Sequence, residues 1–122
     1  MAEFPELSWF QDFAAFAEAD EDFRKHCRWF TGTVAVRVNQ TSTTVRFDRG
    51  IVLDVVKGIQ QPDYLISGSS EQWDHLFQKR WALVRLYRSR TLMVRADPVK
   101  LMQNWKALFF IVECIKRTGK GN

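Results

Sequence analysis

Long apolar runs are missing from this chain: the longest, Ala107 to Val112, is cut at once by Glu113. A membrane-spanning helix needs roughly 18 or more such residues in a row, so none is predicted. Cysteine is scarce. Cys27 and Cys114 lie far apart in no metal-ligand spacing and read as buried free thiols in a reducing compartment. Glycine is thin too: Gly58, Gly68 and Gly119 stand isolated, so no glycine-rich loop can cradle a phosphate. Basic residues are absent from the first 22 positions, which hold seven acids, and an N-terminus of that kind predicts no secretory or mitochondrial leader. A cytoplasmic protein is the expectation.

Catalytic constellations are lacking as well. His75 follows Asp74, with Ser67, Ser69 and Ser70 near in sequence, but no glycine-flanked nucleophile pattern is present, and adjacent helical residues point apart. His26 neighbours Cys27 without further ligands at metal spacing. The expectation is a protein that performs no chemistry of its own and holds neither cofactor nor metal.

What is present is apolar surface and charge. Hydrophobic residues make 46% and charged residues 26% of 122 positions, the composition of a globular chain of single-domain size. We therefore read residues 1–122 as one domain with an acidic helical part over about 1–30. Five Trp, ten Phe and two Tyr supply more aromatic area than a small core needs, leaving some for a cavity or an interface. Beyond residue 22 the balance turns strongly basic, and Lys79–Arg95 contains six Lys or Arg and no acid. That strip can attract an anionic membrane surface, or it can pair with the acidic N-terminal helix. Nucleic acid is disfavoured, because no recognition motif accompanies the charge.

Local signals order the elements. Ser8-Trp9-Phe10-Gln11 matches a capping box, followed by Trp9, Phe13 and Phe16 on one helical face. Asp20 or Asp22 can cap a second helix bearing Phe23, Cys27 and Phe30, ended by Thr31-Gly32. The period then drops to two. Val34, Val36 and Val38, then Val45 and Phe47, then Ile51, Leu53 and Val55 mark three strands, with Asp48-Arg49-Gly50 as a hairpin loop. Asp63 to Ser67 reads as a fourth strand, with Tyr64 and Ile66 on one side. Ser69-Ser70-Glu71-Gln72 is a second capping box, opening a helix with Trp73 and Phe77 on one face. Residues 81–90 are ambiguous. Thr91 to Ala96 reads as a fifth strand, and Asp97-Pro98 starts a last helix that Gly119 can close.

That last helix is apolar nearly all round in its C-terminal half. Leu101, Trp105, Leu108, Val112 and Ile115 form one stripe, with Met102, Phe109, Phe110, Ile111 and Cys114 outside it. A helix of that kind is buried on more than one side. One side is expected on the sheet; the other requires the N-terminal helices, a homodimer partner or an apolar cavity.

Three passages resemble the sterol carrier protein type 2-like domains. They are the meander into Asp48-Arg49-Gly50-Ile51-Val52, the Ile66-Ser67-Gly68-Ser69-Ser70-Glu71-Gln72-Trp73 strand-to-helix passage, and the strand before Asp97 that opens the long helix. The resemblance spans about residues 20–117. It departs at Arg88-Ser89-Arg90, where the family has a glycine, and at the C-terminus, which lacks a peroxisomal signal. It implies an α+β fold, a five-stranded mostly antiparallel sheet flanked by helices, with a tunnel for fatty acyl chains, sterols or similar lipids. The expected function is non-catalytic binding of a lipid-like small molecule. Its walls would be Trp73, Phe77, Trp81, Trp105, Leu108, Phe109 and Val112, and an arginine of the Arg85–Arg95 stretch would orient the head group. The alternative is a protein-interaction or homodimerisation module that uses the same apolar face.

Overall fold

A computed structural model describes residues 4, 6–59, 61–78 and 93–120. The order is α1 (Leu7–Ala19), α2 (Glu21–Cys27), β1 (Gly32–Val38), β2 (Thr41–Asp48), β3 (Ile51–Lys57), β4 (Tyr64–Gly68), α3 (Ser70–Gln78), β5 (Met93–Ala96) and α4 (Pro98–Lys120). The five strands form one sheet in the order β3-β2-β1-β4-β5. All neighbours are antiparallel except β1 and β4, which run parallel. The chain is thus α+β with a mostly antiparallel sheet, as the sequence predicts. The ambiguous residues 81–90 lie outside the described residues.

Turn chemistry sets the meander. Arg49 and Gly50 both take positive φ, 51° and 78°, which matches the primed two-residue turns whose twist suits a hairpin. Asn39 takes φ 54° at the β1–β2 connection, a conformation asparagine tolerates. Two predicted helix starts hold. The Ser69 hydroxyl accepts from the Gln72 amide at 3.2 Å, and the Gln72 side chain accepts from the Ser69 amide at 2.8 Å. The Asp97 carboxylate accepts from the Lys100 amide at 3.1 Å.

Other local expectations are corrected. Helix α1 starts at Leu7 with Glu6 as its cap and no side-chain capping bond, so Ser8 falls inside the first turn and its box does not form. Asp20 stands at the cap of α2, likewise without a side-chain bond, and α2 ends at Cys27, ahead of Thr31-Gly32. The fully buried side chains of α1 are Phe10, Phe13 and Ala17, with Trp9 and Phe16 half-buried against the core beside them. Both stripes have helical spacing. Trp9 sits on the flank because its indole N–H needs an acceptor, and it donates to the Ile115 carbonyl at 3.2 Å. In β3, Ile51 and Leu53 face solvent while Val52 and Val55 pack on the core. The pairing moves from Arg46↔Asp54 to Phe47↔Val52, a bulge that breaks the period of two. Helix α4 runs through Gly119 rather than ending there.

The core lies between the sheet and the N-terminal helices. Phe47 of β2 is its centre, edge-on to Phe13 of α1 (ring centroids 6.2 Å apart) and to Phe30 (5.4 Å), and tilted against Phe23 of α2. Valines 34, 36 and 45 and Ile66 fill the same face. No helix among the described residues is long and apolar enough to cross a membrane.

Candidate functional site

The expectation that α4 lays its first face on the sheet is corrected: α4 packs mainly against α1 and α2. On the α2 side, the Cys27 thiol donates to the Ala107 carbonyl at 3.5 Å, and the His26 ring stacks on Phe110 with centroids 4.1 Å apart. The Asp20 carboxylate, at the α1–α2 junction, pairs with Arg117 near the end of α4 at 3.2 Å. These contacts use up two sides of an all-round apolar helix, which is why it needs no sheet beneath its full length. Burial, with a smaller contribution from the Asp20 charge, pushes the Cys27 and Cys114 thiols up to about 12. Both are free and buried, as their helical positions predict.

The N-terminal end of α4 is hydrogen-bonded to β4. There the Asn104 side-chain amide donates to the Tyr64 hydroxyl at 2.9 Å, and that hydroxyl donates to the Lys100 carbonyl at 3.4 Å. Burial raises the Tyr64 phenol above its ordinary value, with the Asn104 bond opposing. Asp63 anchors the same corner, accepting from the Thr33 amide at 3.0 Å and pairing with Lys100 at 3.7 Å.

One further flank of α4 is apolar and graded. Met102, Trp105 and Phe109 fall at i, i+3 and i+7 and so share a face. Met102 is 83% exposed, Trp105 is half-buried, and Phe109 is 8% exposed. An apolar stripe that emerges gradually from the core can serve as the wall of a cavity for an aliphatic chain.

The sequence-predicted wall residues divide into three groups. Trp73, Leu108, Phe109 and Val112 are buried, and Trp105 is half-buried at their edge. Trp73 of α3 is fixed firmly: its indole N–H donates to the Arg37 carbonyl at 3.0 Å, and its ring lies 5.0 Å from that of Phe4. Phe77 belongs to α3, but its side chain lies outside the described residues, as does Trp81. Of the basic strip, Lys79 to Arg90 also lies outside them, while Arg95 is exposed on β5.

Sequence reasoning missed a pair of adjoining clefts whose lining includes no residue of α4. One, of about 610 Å³, opens between α1 and the β2–β3 turn and is lined by Ala14, Ala17, Glu18, Ile51 and Val52 among others. Its neighbour, about 480 Å³, is lined by Glu21, Arg24, Lys25, Arg28 and Arg49. Arg24, Gly50 and Ile51 border both. The signal was the basic run of α2, which the acidic balance of residues 1–22 overshadowed.

No protein-family profile matches the chain, and no curated relative does. Solved structures do match. A crystal structure of sterol carrier protein 2 superposes with a TM-score of 0.81 at 16% identity, covering 93% of this chain and 98% of the other. The UbiJ ubiquinone synthesis protein, described with a sterol carrier protein 2 part, gives 0.55 at 23% identity over 82% of this chain and 88% of its own. A palmitated sterol carrier protein 2-like protein from Aedes aegypti gives 0.55 at 12% identity over 84% and 91%.

Proposed function

Since the chain adopts the sterol carrier protein 2 fold, we propose that it is a non-catalytic lipid-binding domain. The fold, matched over 93% of the chain, is the observation that carries the reading. The palmitated relative supports an aliphatic chain as ligand, and the ubiquinone synthesis relative supports an isoprenoid one. In either case binding rests on burial of apolar surface, roughly 25 cal/mol per Å². The Met102–Trp105–Phe109 flank of α4 is the wall we assign to it. Leu108 and Val112, buried on the same helix, would hold its shape. The domain would act in the cytoplasm, drawing its cargo from membranes.

The test is a displacement titration with a fluorescent fatty acid, backed by native mass spectrometry of protein purified from its own cells. We expect saturable binding, competition by a free fatty acid or a polyprenyl quinone, and a co-purified mass of the winning class. Absence of saturable binding with either competitor class, and of any co-purified lipid, overturns the proposal.

A further inference from the structure

Trp29 is out of place in this molecule. The core takes in ring after ring, yet Trp29 is 76% exposed, the one fully exposed aromatic among the described side chains. It does not project from a loose loop. The segment after α2 is tied to the β2–β3 turn by three hydrogen bonds. The Gly50 amide donates to the Phe30 carbonyl at 2.9 Å, and the Arg49 amide to the Thr31 hydroxyl at 3.1 Å. The Thr31 hydroxyl in turn donates to Asp48 at 3.4 Å. Two more exposed apolar side chains, Ile51 (66%) and Leu53 (56%), continue from that turn along β3. The bulge in β3 is what leaves Leu53 facing outward.

Cations lie beside Trp29 and Ile51. The cleft between α2 and the turn presents Arg24, Lys25, Arg28 and Arg49 against the single carboxylate of Glu21. The Arg28 guanidinium lies 4.9 Å from the centre of the Trp29 ring, holding the indole beside the positive cluster.

From this juxtaposition we infer that the end of the molecule formed by α2, Trp29 and the β2–β3 turn docks on an anionic bilayer surface. Tryptophan is enriched where a membrane meets water, because its ring is apolar and its N–H is polar. Ile51, which borders the cationic cleft, adds aliphatic area of the kind that enters the headgroup region. Arginine and lysine gain from the negative potential of acidic lipids. A protein partner would fit the apolar residues alone; an exposed indole held by Arg28, itself one of four cations on the adjoining cleft, favours lipid phosphates and carboxylates. Its residues are not those of the Lys79–Arg95 strip, and the two sets make opposite predictions for mutagenesis. The inference deepens the lipid-binding reading by naming where the carrier would meet its donor membrane.

The experiment is co-sedimentation of the full chain with vesicles of phosphatidylcholine alone or mixed with phosphatidylserine, on the parent and three variants. Each variant is also melted and titrated with the fluorescent fatty acid. We expect the parent to bind the acidic vesicles only, less as salt rises. Arg28→Glu with Arg49→Glu should lower that partition by roughly tenfold or more. Trp29→Ala should lower it several-fold, with melting and fatty-acid binding unchanged in both. Reversal of Lys79, Arg80, Arg85, Arg88 and Arg90 to Glu should leave partition within about twofold of the parent. The proposal is overturned if the parent ignores acidic vesicles, if both α2-side variants bind as the parent does, or if only the strip reversal abolishes binding. It is equally overturned if Trp29→Ala instead breaks up a dimer in solution. A parent that binds the fatty acid but ignores acidic vesicles would sink this inference alone; a parent that docks on acidic vesicles but binds no fatty acid would sink the carrier reading alone.

Discussion

Gly50 seats its bare Cα against the carbonyl of Cys27: a Cβ there would stand 2.6 Å from that oxygen and 3.0 Å from the Arg28 Cα. Those neighbours are backbone and cannot swing aside. The contact fixes the β2–β3 turn onto the end of α2. Gly50→Ala meets both this clash and a φ of 78°, a region that costs an L-residue about 1–2 kcal/mol before any clash. We expect a stability loss of about 2 kcal/mol or more by urea melting, well beyond that of Gly58→Ala. Gly58 also has positive φ, but nothing lies within 4 Å of its Cβ position.

The α4 flank and the α1–α2 core should respond differently to truncation. Phe47→Ala removes a ring packed among Phe13, Phe23 and Phe30, and such losses cost roughly 3–5 kcal/mol. Trp105→Ala, at a half-buried position, should cost less than half as much while weakening fatty-acid binding. Phe109→Ala should fall between the two in stability and also weaken binding. Equal losses for all three, with unchanged affinity, would make the flank ordinary core.

The two thiols predict a pH dependence. Each has a folded pKa raised from about 9 to about 12 by burial, so the folded state keeps its proton where the unfolded state has lost it. Stability should therefore be unaffected by these groups below pH 9 and fall as pH rises from about 9 towards about 12. Replacing both by Ser or Ala should flatten that alkaline limb. A thiol reagent at neutral pH should label Cys27 and Cys114 only at the rate of unfolding.

The reciprocal cap of α3 can be removed piecewise. Ser69→Ala should cost about 1 kcal/mol in a denaturant melt, and Ser69→Asp should recover most of it. Asp97→Ala should cost a similar amount at α4. A change below the error of the measurement at both positions would deny these caps any energetic role.

Much of the architecture was legible from residues within about four positions of one another. The Ser69/Gln72 and Asp97 caps, the Arg49-Gly50 turn and the shift from helical to strand period act through bonds a short segment can make by itself. They carried the element order and both buried cysteines. The Ser8 box failed on the same ground: its residues are right, but the helix gains one earlier turn residue, and the competing start wins.

The tertiary structure decided which faces turn inward. In α1 the stripes Trp9-Phe13-Phe16 and Phe10-Phe13-Ala17 are equally periodic; packing against distant rings buries the second, while Trp9 stays half-buried with its indole donating to the Ile115 carbonyl. In β3 strict alternation would bury Ile51 and Leu53 together. The bulge against Arg46 and Phe47 sends both outward, and that is a property of the paired strands. Two of the seven wall residues, Leu108 and Val112, are apolar in any register, but their burial depends on α1 and α2 covering α4. The convergence of Arg24, Lys25 and Arg28 with Arg49 joins residues some twenty positions apart through the Gly50–Cys27 contact. Sequence alone determined the local conformations and the supply of apolar and charged groups. Which of those groups meet was decided by burial and pairing between distant segments, because periodicity ranks faces only until a partner breaks the tie.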